Sequence, residues 1–421
     1  MAVTRADNPR VNARSRPVPL SAAGSSRVAT SPSERGRGRG AMSRRSFLGG
    51  GAAMAAGMLS SCASDRSAGA DGSSRNGADL RISTWVAYID TDDHDDPFGK
   101  DTTLTRFQHT TGLDVDWRTD YNGNAEHWVR VFEPNLGRGR TIDADIVMPT
   151  FWMAARLVDR GWVEKIPSSR IPNRANLEPA YLGLPWDEGA THHLPWQAGI
   201  TGIAYDIEAT GRELGSFTDL FDPEFAGRVG LLSEMEDTVG LTMLMQGRDP
   251  SVLDIDGANA ALDHLATATR DGQIRAFTAN EYLDRLISGE FIASMGWSGD
   301  LAQVAREHPN LRFVVPEEGA MLWFDTMMIP KGSPHVRAAA SFMDSVYDVE
   351  TAATITEYVQ YISPVSGVQD AVASRGPEGE ALAANELVFP TAATRERLHT
   401  FAGVGEAEHI ALSYRFDDLA S

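Results

Sequence analysis

Six aromatic residues stand where an apolar pattern ends rather than inside it. Trp85 and Tyr88 close or follow the run Leu80-Arg81-Ile82-Ser83-Thr84-Trp85, and Phe151 and Trp152 follow Asp145-Ile146-Val147-Met148-Pro149. Trp297 follows Phe291 to Met295, and Trp323 comes two residues before Asp325. A core aromatic belongs within its strand's periodicity, whereas a residue just past a strand end faces the place where a cleft would lie. Aromatic faces attract alkylammonium groups by roughly 0.5 to 2 kcal/mol each, depending on desolvation. A carboxylate among them fixes the ammonium by a charge-assisted hydrogen bond. Trp85 or Tyr88 alone would read as packing; the set together with Asp325 reads as a cage for an organic cation.

Other chemistries find less support. The chain contains no Gly-x-Ser-x-Gly, phosphate-binding glycine loop, His-Glu-x-x-His or Cys-x-x-Cys, so the reading is binding rather than catalysis, with no cofactor and no metal. His192 and His193 are adjacent and on a strand would point to opposite faces, a poor arrangement for a shared metal. The acidic run Asp90-Thr91-Asp92-Asp93-His94-Asp95-Asp96 lacks the glycine and the distal glutamate of a calcium loop and reads as a solvated stretch.

The elements that would position the cage follow from periodicity. Residues 80–85 and 113–117 alternate as strands, and 145–149 form a third. Between them a helical pattern through Leu104 and Phe107 stops at Gly112, and Ala125, Trp128, Val129, Phe132 and Leu136 fall on one helical face. Strand, helix, strand, helix, strand implies parallel pairing with ligands beyond the carboxyl ends. The later chain repeats this grammar, with strands expected at 228–232, 291–295 and 313–315 and helices near 238–246 and 257–270.

Ser43-Arg44-Arg45-Ser46-Phe47-Leu48, an uncharged stretch to Ser61, and Leu59-Ser60-Ser61-Cys62 read as a twin-arginine export signal ending in a lipobox. Residues 42–61 are therefore the expected signal peptide, and Cys62, the sole cysteine, the lipidated residue. Residues 62–78 form an anchor and tether, while 1–41 are a disordered extension or an artefact of the start site, Met42 being the true start. Residues 1–61 hold ten arginines and two acids, so the remaining 360 residues carry 28 basic and 56 acidic groups, a net charge of −28. That length suits two lobes, and that charge argues against nucleic acid as a partner. The expected location is the outer face of the cell membrane or the periplasm.

In order along nearly all of residues 80–415, the chain resembles the spermidine/putrescine-binding proteins, the extracytoplasmic receptors of polyamine ABC transporters. The resemblance rests on Trp85-Val86-Ala87-Tyr88, Asp145 to Thr150, Leu194-Pro195-Trp196, Ser216 to Pro223, Gly296-Trp297-Ser298-Gly299, Pro316 to Gly319 with Trp323-Phe324-Asp325, and Tyr361-Ile362-Ser363-Pro364. It implies a two-lobed α/β fold like the type II periplasmic binding proteins, with the cleft between lobes joined by two crossing strands, near 199–203 and 325–329. The lobes would be 79–200 with 326–368, and 201–325 with 369–421. Carried over by position, the aromatic box is Trp85, Tyr88, Trp152, Trp297, Trp323 and Tyr361, the central carboxylate is Asp325, and Thr150 stands where a serine touches the ligand. Departures are Ala87, Met235, Thr238 and Phe401 where the family has polar or acidic groups; Glu234 and Asp237, with Glu236, stand beside two of them as substitutes. The implied function is delivery of a polyamine to an ABC permease by a membrane-tethered receptor. A receptor for thiamine or a quaternary amine is the alternative; a secreted hydrolase or an anchored scaffold is a weaker one.

Overall fold

The computed structural model describes residues 78–420 except 93, 306 and 403–405, so residues 1–41, the expected signal segment and Cys62 lie outside the described residues. The strands are β1 (Leu80–Ser83), β2 (Val115–Arg118), β3 (Ile146–Val147), β4 (His193–Asp206), β5 (Val229–Leu232), β6 (Ile274–Thr278), β7 (Ala293–Trp297), β8 (Leu311–Val314), β9 (Ala320–Met328) and β10 (Leu398–His399). They make one sheet in the order β2-β1-β3-β9-β4-β7-β5-β6, with β8 beside β4 and β10 beside β9. Pairing is parallel where helices cross over: β1 with β2 and β3, and β5 with β6 and β7. The first helix, Thr103–Thr111, is capped by the Thr102 side chain and ends at Gly112, whose φ of 72° is the left-handed conformation glycine adopts at least cost.

The two lobes meet at β4 and β9, which pair antiparallel from His193 with Met328 to Thr201 with Met321, with a register shift between Pro195 and Ala198. Along β4 the side chains pass from one core to the other. Leu194 and Trp196 pack with Leu80, Ile82, Ile146 and Met327 in the first core, and Ile203 and Ala204 pack with Val229, Leu231 and Met295 in the second. Between them Ala198 and Ile200 share a small cluster with Ala320, Phe324 and Ile362. All but the last of β4's 14 residues are buried, as expected for a strand covered on both faces.

Three expectations need correction. The segment after 368 does not stay in the second lobe: Val368, Val372 and Ala383 pack in the first core, and the chain joins the second only at Phe401, Leu412 and Phe416. The helical face through Trp128 and Val129 is interrupted. Asn124–His127 is followed by a π-helix at Trp128–Phe132 and short turns to Arg138, and of the expected face Trp128, Phe132 and Leu136 are buried while Ala125 and Val129 are exposed. His192 and His193 do not diverge, because His192 precedes β4. Both rings reach Asp187, at 3.3 Å from His192 Nδ1 to Oδ1 and 2.8 Å from His193 Nδ1 to Oδ2.

Asp187 also accepts hydrogen bonds from the N–H groups of Thr191, His192 and His193 and from the Thr191 hydroxyl. Burial opposes ionisation there, but the His193 ring and these backbone donors hold its carboxyl well below the usual range. His193 is fully buried, its Nε2 lying 3.1 Å from the Tyr181 carbonyl oxygen. This knot fixes the start of the crossing strand. Removing one partner of such a buried pair costs about 3 to 5 kcal/mol, so Asp187→Ala should lose that much in urea unfolding. A change below about 1 kcal/mol would show the knot to be incidental.

Candidate functional site

Asp325 lies on β9 opposite Thr150, with which it forms an isolated antiparallel bridge. Alongside, both the N–H and the hydroxyl of Thr326 donate to the Pro149 carbonyl oxygen at 2.9 Å. The backbone thus presents the Asp325 carboxylate to the residues after β1 and β3. The Tyr88 hydroxyl donates to Oδ2 at 2.6 Å and the Thr150 hydroxyl to Oδ1 at 2.7 Å. Thr150 occupies the N-cap position of helix Phe151–Asp159, yet its side chain does not cap the helix; it serves Asp325 instead. Behind it, Asn124 Nδ2 donates to Thr150 Oγ1 at 2.9 Å, and Asn124 Oδ1 accepts from the Tyr121 hydroxyl at 3.2 Å.

The aromatic walls are held by close packing on glycine. Tyr361 meets Tyr88 edge-on at 5.9 Å between ring centroids and Trp323 at 5.4 Å. A Cβ on Gly199 would lie 2.4 Å from the Trp323 ring, and one on Gly299 would lie 2.6 Å from the Tyr361 ring, so both rings rest on bare backbone. Asp300 accepts from the hydroxyls of Tyr361 at 3.0 Å and Tyr282 at 2.9 Å, and the Tyr282 hydroxyl accepts the Trp297 N–H. Trp85 donates its indole N–H to the Met148 carbonyl oxygen at 2.8 Å and packs 4.5 Å from Tyr121. At the turn before Tyr88, Ala87 has φ 54° and supplies no polar group.

The second lobe contributes acids from the start of helix Met235–Met245. Glu234 is its N-cap residue, and Glu236 and Asp237 lie in its first turn, where the helix dipole favours negative charge. Asp237 Oδ2 accepts from the Thr201 hydroxyl at 2.7 Å, and the Trp297 side chain also hydrogen-bonds this carboxylate. Glu234 Oε2 lies 3.5 Å from Asn124 Nδ2, linking the lobes. Glu236 accepts from His409 Nε2 at 2.9 Å, and the His409 ring lies 5.5 Å from Trp152. Met235 is buried in the second core, as is Phe401, and the Thr238 hydroxyl donates to the Leu232 carbonyl oxygen, so none of the three replaces a missing acid.

All ten candidate residues therefore fall on one connected path. Tyr121 and Asn124, which were not among the candidates, lie past the end of β2 in Asp120-Tyr121-Asn122-Gly123-Asn124; applying the strand-end rule to the second strand as to the first and third would have found them. His409 carried no such signal. Three of the acids hold protons unusually tightly. Burial, and then the Glu236 and Asp237 carboxylates, push Glu234 up to about 8. Burial, opposed by the Thr201 hydroxyl, moves Asp237 up to about 7, and burial outweighs the Tyr88 and Thr150 hydrogen bonds to raise Asp325 to about 7. Among the described residues no lysine or arginine pairs with any of the three. Such a site offers acceptors and aromatic faces, and suits a cation that brings its own N–H donors.

Residues 136–386 match the sequence profile of a family described as bacterial extracellular solute-binding protein. Spermidine/putrescine-binding periplasmic protein 1 of Haemophilus influenzae is 24% identical over 77% of this chain and 84% of its own length. Putrescine-binding periplasmic protein PotF of Escherichia coli is 25% identical over 76% of this chain and 85% of its own. The solved structure of the spermidine/putrescine ABC transporter substrate-binding protein PotD from Streptococcus pneumoniae superposes with a TM-score of 0.66 at 25% identity, covering 81% of this chain and 98% of that one.

The raised carboxyls set a pH dependence. A carboxyl that keeps its proton up to about 7 when folded but releases it near ~4 when unfolded favours the folded state at low pH. That contribution falls as pH rises between the two values. Relative to Asp325→Asn, the unliganded parent should lose melting temperature from pH 5 to pH 8 (about the span of these shifts). A bound cation favours the ionised forms, so binding should release protons and strengthen over the same range. Calorimetry in buffers of different ionisation enthalpy checks this, and binding without proton release would contradict the placement of the cation on these acids.

Proposed function

This chain belongs to the bacterial extracellular solute-binding proteins, and from that premise we propose that it captures a linear polyamine outside the cytoplasm and delivers it to the permease of an ABC transporter. The observation that carries the reading is the buried Asp325 carboxylate, walled by Tyr88, Tyr361 and Trp323 and given hydroxyl donors but no protein cation among the described residues. An ammonium supplies the missing charge, and its N–H groups find a carboxylate acceptor. A quaternary amine would meet the rings but bring no N–H to the lone pairs that the two hydroxyls leave open on the carboxylate, which favours primary and secondary amines over the quaternary alternative. The polyamine names of the similar proteins support the same ligand class. Trp85, Tyr88, Trp152, Trp297, Trp323 and Tyr361 are the proposed aromatic contacts, with Thr150, Glu234 and Asp237 as polar ones. The role is binding and release without turnover, and the twin-arginine segment with Cys62 supports export and lipid anchoring.

Titration of putrescine and spermidine into residues 63–421 tests the reading. A charge-assisted hydrogen bond contributes about 1.5 to 3 kcal/mol, so Asp325→Asn should weaken binding roughly ten- to a hundredfold. Equal affinity in the variant would remove Asp325 from the site. In cells, Cys62→Ala should move the protein from the membrane fraction to the soluble one; a variant that stays with the membrane would rule out anchoring through that residue.

A further inference from the structure

Glu236 is a carboxylate only 5% exposed, and among the described residues the one group hydrogen-bonded to it is the imidazole of His409, at 2.9 Å. On its other side His409 lies against Trp152 from the first lobe, and its Nδ1 is 3.3 Å from the Ser413 hydroxyl. From the first lobe the Arg156 guanidinium, which packs over Trp128 at 4.0 Å from the ring centroid, also feels the Glu236 charge. His409 thus lies between a carboxyl group and an aromatic ring, the two kinds of group that also come together at Asp325 and Tyr88. The two places are continuous: Glu236 lies two residues from Glu234, which reaches Asn124 and through it Thr150 and Asp325.

We propose that Glu236 and Trp152 form a subsite for a second ammonium, and that His409 fills it from within the chain, so that a longer polyamine must displace His409 to use it. The inference rests on the polyamine reading of the same cleft. An imidazole N–H supplies to Glu236 the donor that a ligand ammonium would supply, and removing either leaves a buried carboxyl group without its hydrogen-bond partner. Displacement is feasible because helix Glu406–Ala420 is anchored in the second core by Leu412 and Phe416, beyond His409, while Glu408, Ile410 and Ala411 are exposed. His409 is thereby a specificity-determining residue: it lowers the affinity gained from each added ammonium and biases the receptor toward short amines.

The experiment compares parent, His409→Ala and His409→Lys by calorimetry with putrescine and spermidine, and by thermal shift with millimolar imidazole. In His409→Ala the ratio of spermidine to putrescine affinity should rise by about tenfold or more. His409→Lys, which keeps a cation on the chain, should hold the ratio near the parent's. Imidazole should raise the melting temperature of His409→Ala and not that of the parent. A ratio unchanged in His409→Ala overturns the inference while leaving the polyamine reading intact. If neither amine binds parent or variants, the polyamine reading falls, and the imidazole arm alone decides: stabilisation of His409→Ala supports the subsite, and no shift overturns it.

Discussion

A carboxylate inside a protein is costly unless its oxygens are hydrogen-bonded, and costlier still without a counter-charge. The cleft is arranged around that constraint at Asp325. Both oxygens are met by hydroxyls, from Tyr88 and Thr150, which lie past the ends of the two parallel strands β1 and β3. The bridge between Thr150 and Asp325 sets the height at which the carboxylate stands, and Asn124 orients Thr150 from behind. Hydroxyl donors satisfy geometry and leave the charge uncompensated. Each oxygen thus has one hydroxyl donor while the charge has no partner among the described residues, the combination on which the proposed cation site rests.

The same incompleteness couples the lobes. Glu234, Glu236 and Asp237 crowd the first turn of one helix, where their mutual repulsion is only partly offset by the helix dipole. Glu234 faces Asn124 across the cleft, and His409 bridges Glu236 to Trp152. A cation at the proposed site would relieve repulsion in one lobe while meeting aromatic faces of the other, so it would favour the arrangement that brings the two together. That differential is what shifts a conformational population. The paired strands β4 and β9, sharing a small cluster of their own between the two cores, connect the two lobes.

What periodicity could reveal was the framework. Alternation marked β1 and β2, Gly112 marked a helix end, and Trp85, Tyr88 and Trp152 do lie past β1 and β3, because each of these signals is local. Trp297, by contrast, closes β7, and Trp323 lies inside β9 rather than past a strand end. The misses were non-local or arose from irregular backbone. Nothing local in residues 368–383 says which core they join, since a short amphipathic helix fits either. A π-turn breaks the regular helical spacing from Trp128 to Phe132, so a face drawn at that spacing through Ala125 and Val129 is not the buried one. The paired histidines were misjudged because strand alternation was assumed one residue too early. His409 meets Glu236 across 173 positions, a contact that only the folded chain displays.

The division of the two cores along the chain also bears on how the molecule is made. The first core begins with residues 80–196 but is finished by Met327 to Ala383, and the second begins at Ile203 but is closed by Phe401, Leu412 and Phe416. Each lobe thus waits for chain that is synthesised after most of the other. Loop closure over such separations is entropically expensive and makes folding slow. The first core can therefore close once Ala383 is made, while the apolar faces of the second lobe's strands stay uncovered until the C-terminal helix exists. A stop codon only a few turns early would remove Leu412 and Phe416 and leave the second core uncovered rather than merely shorter.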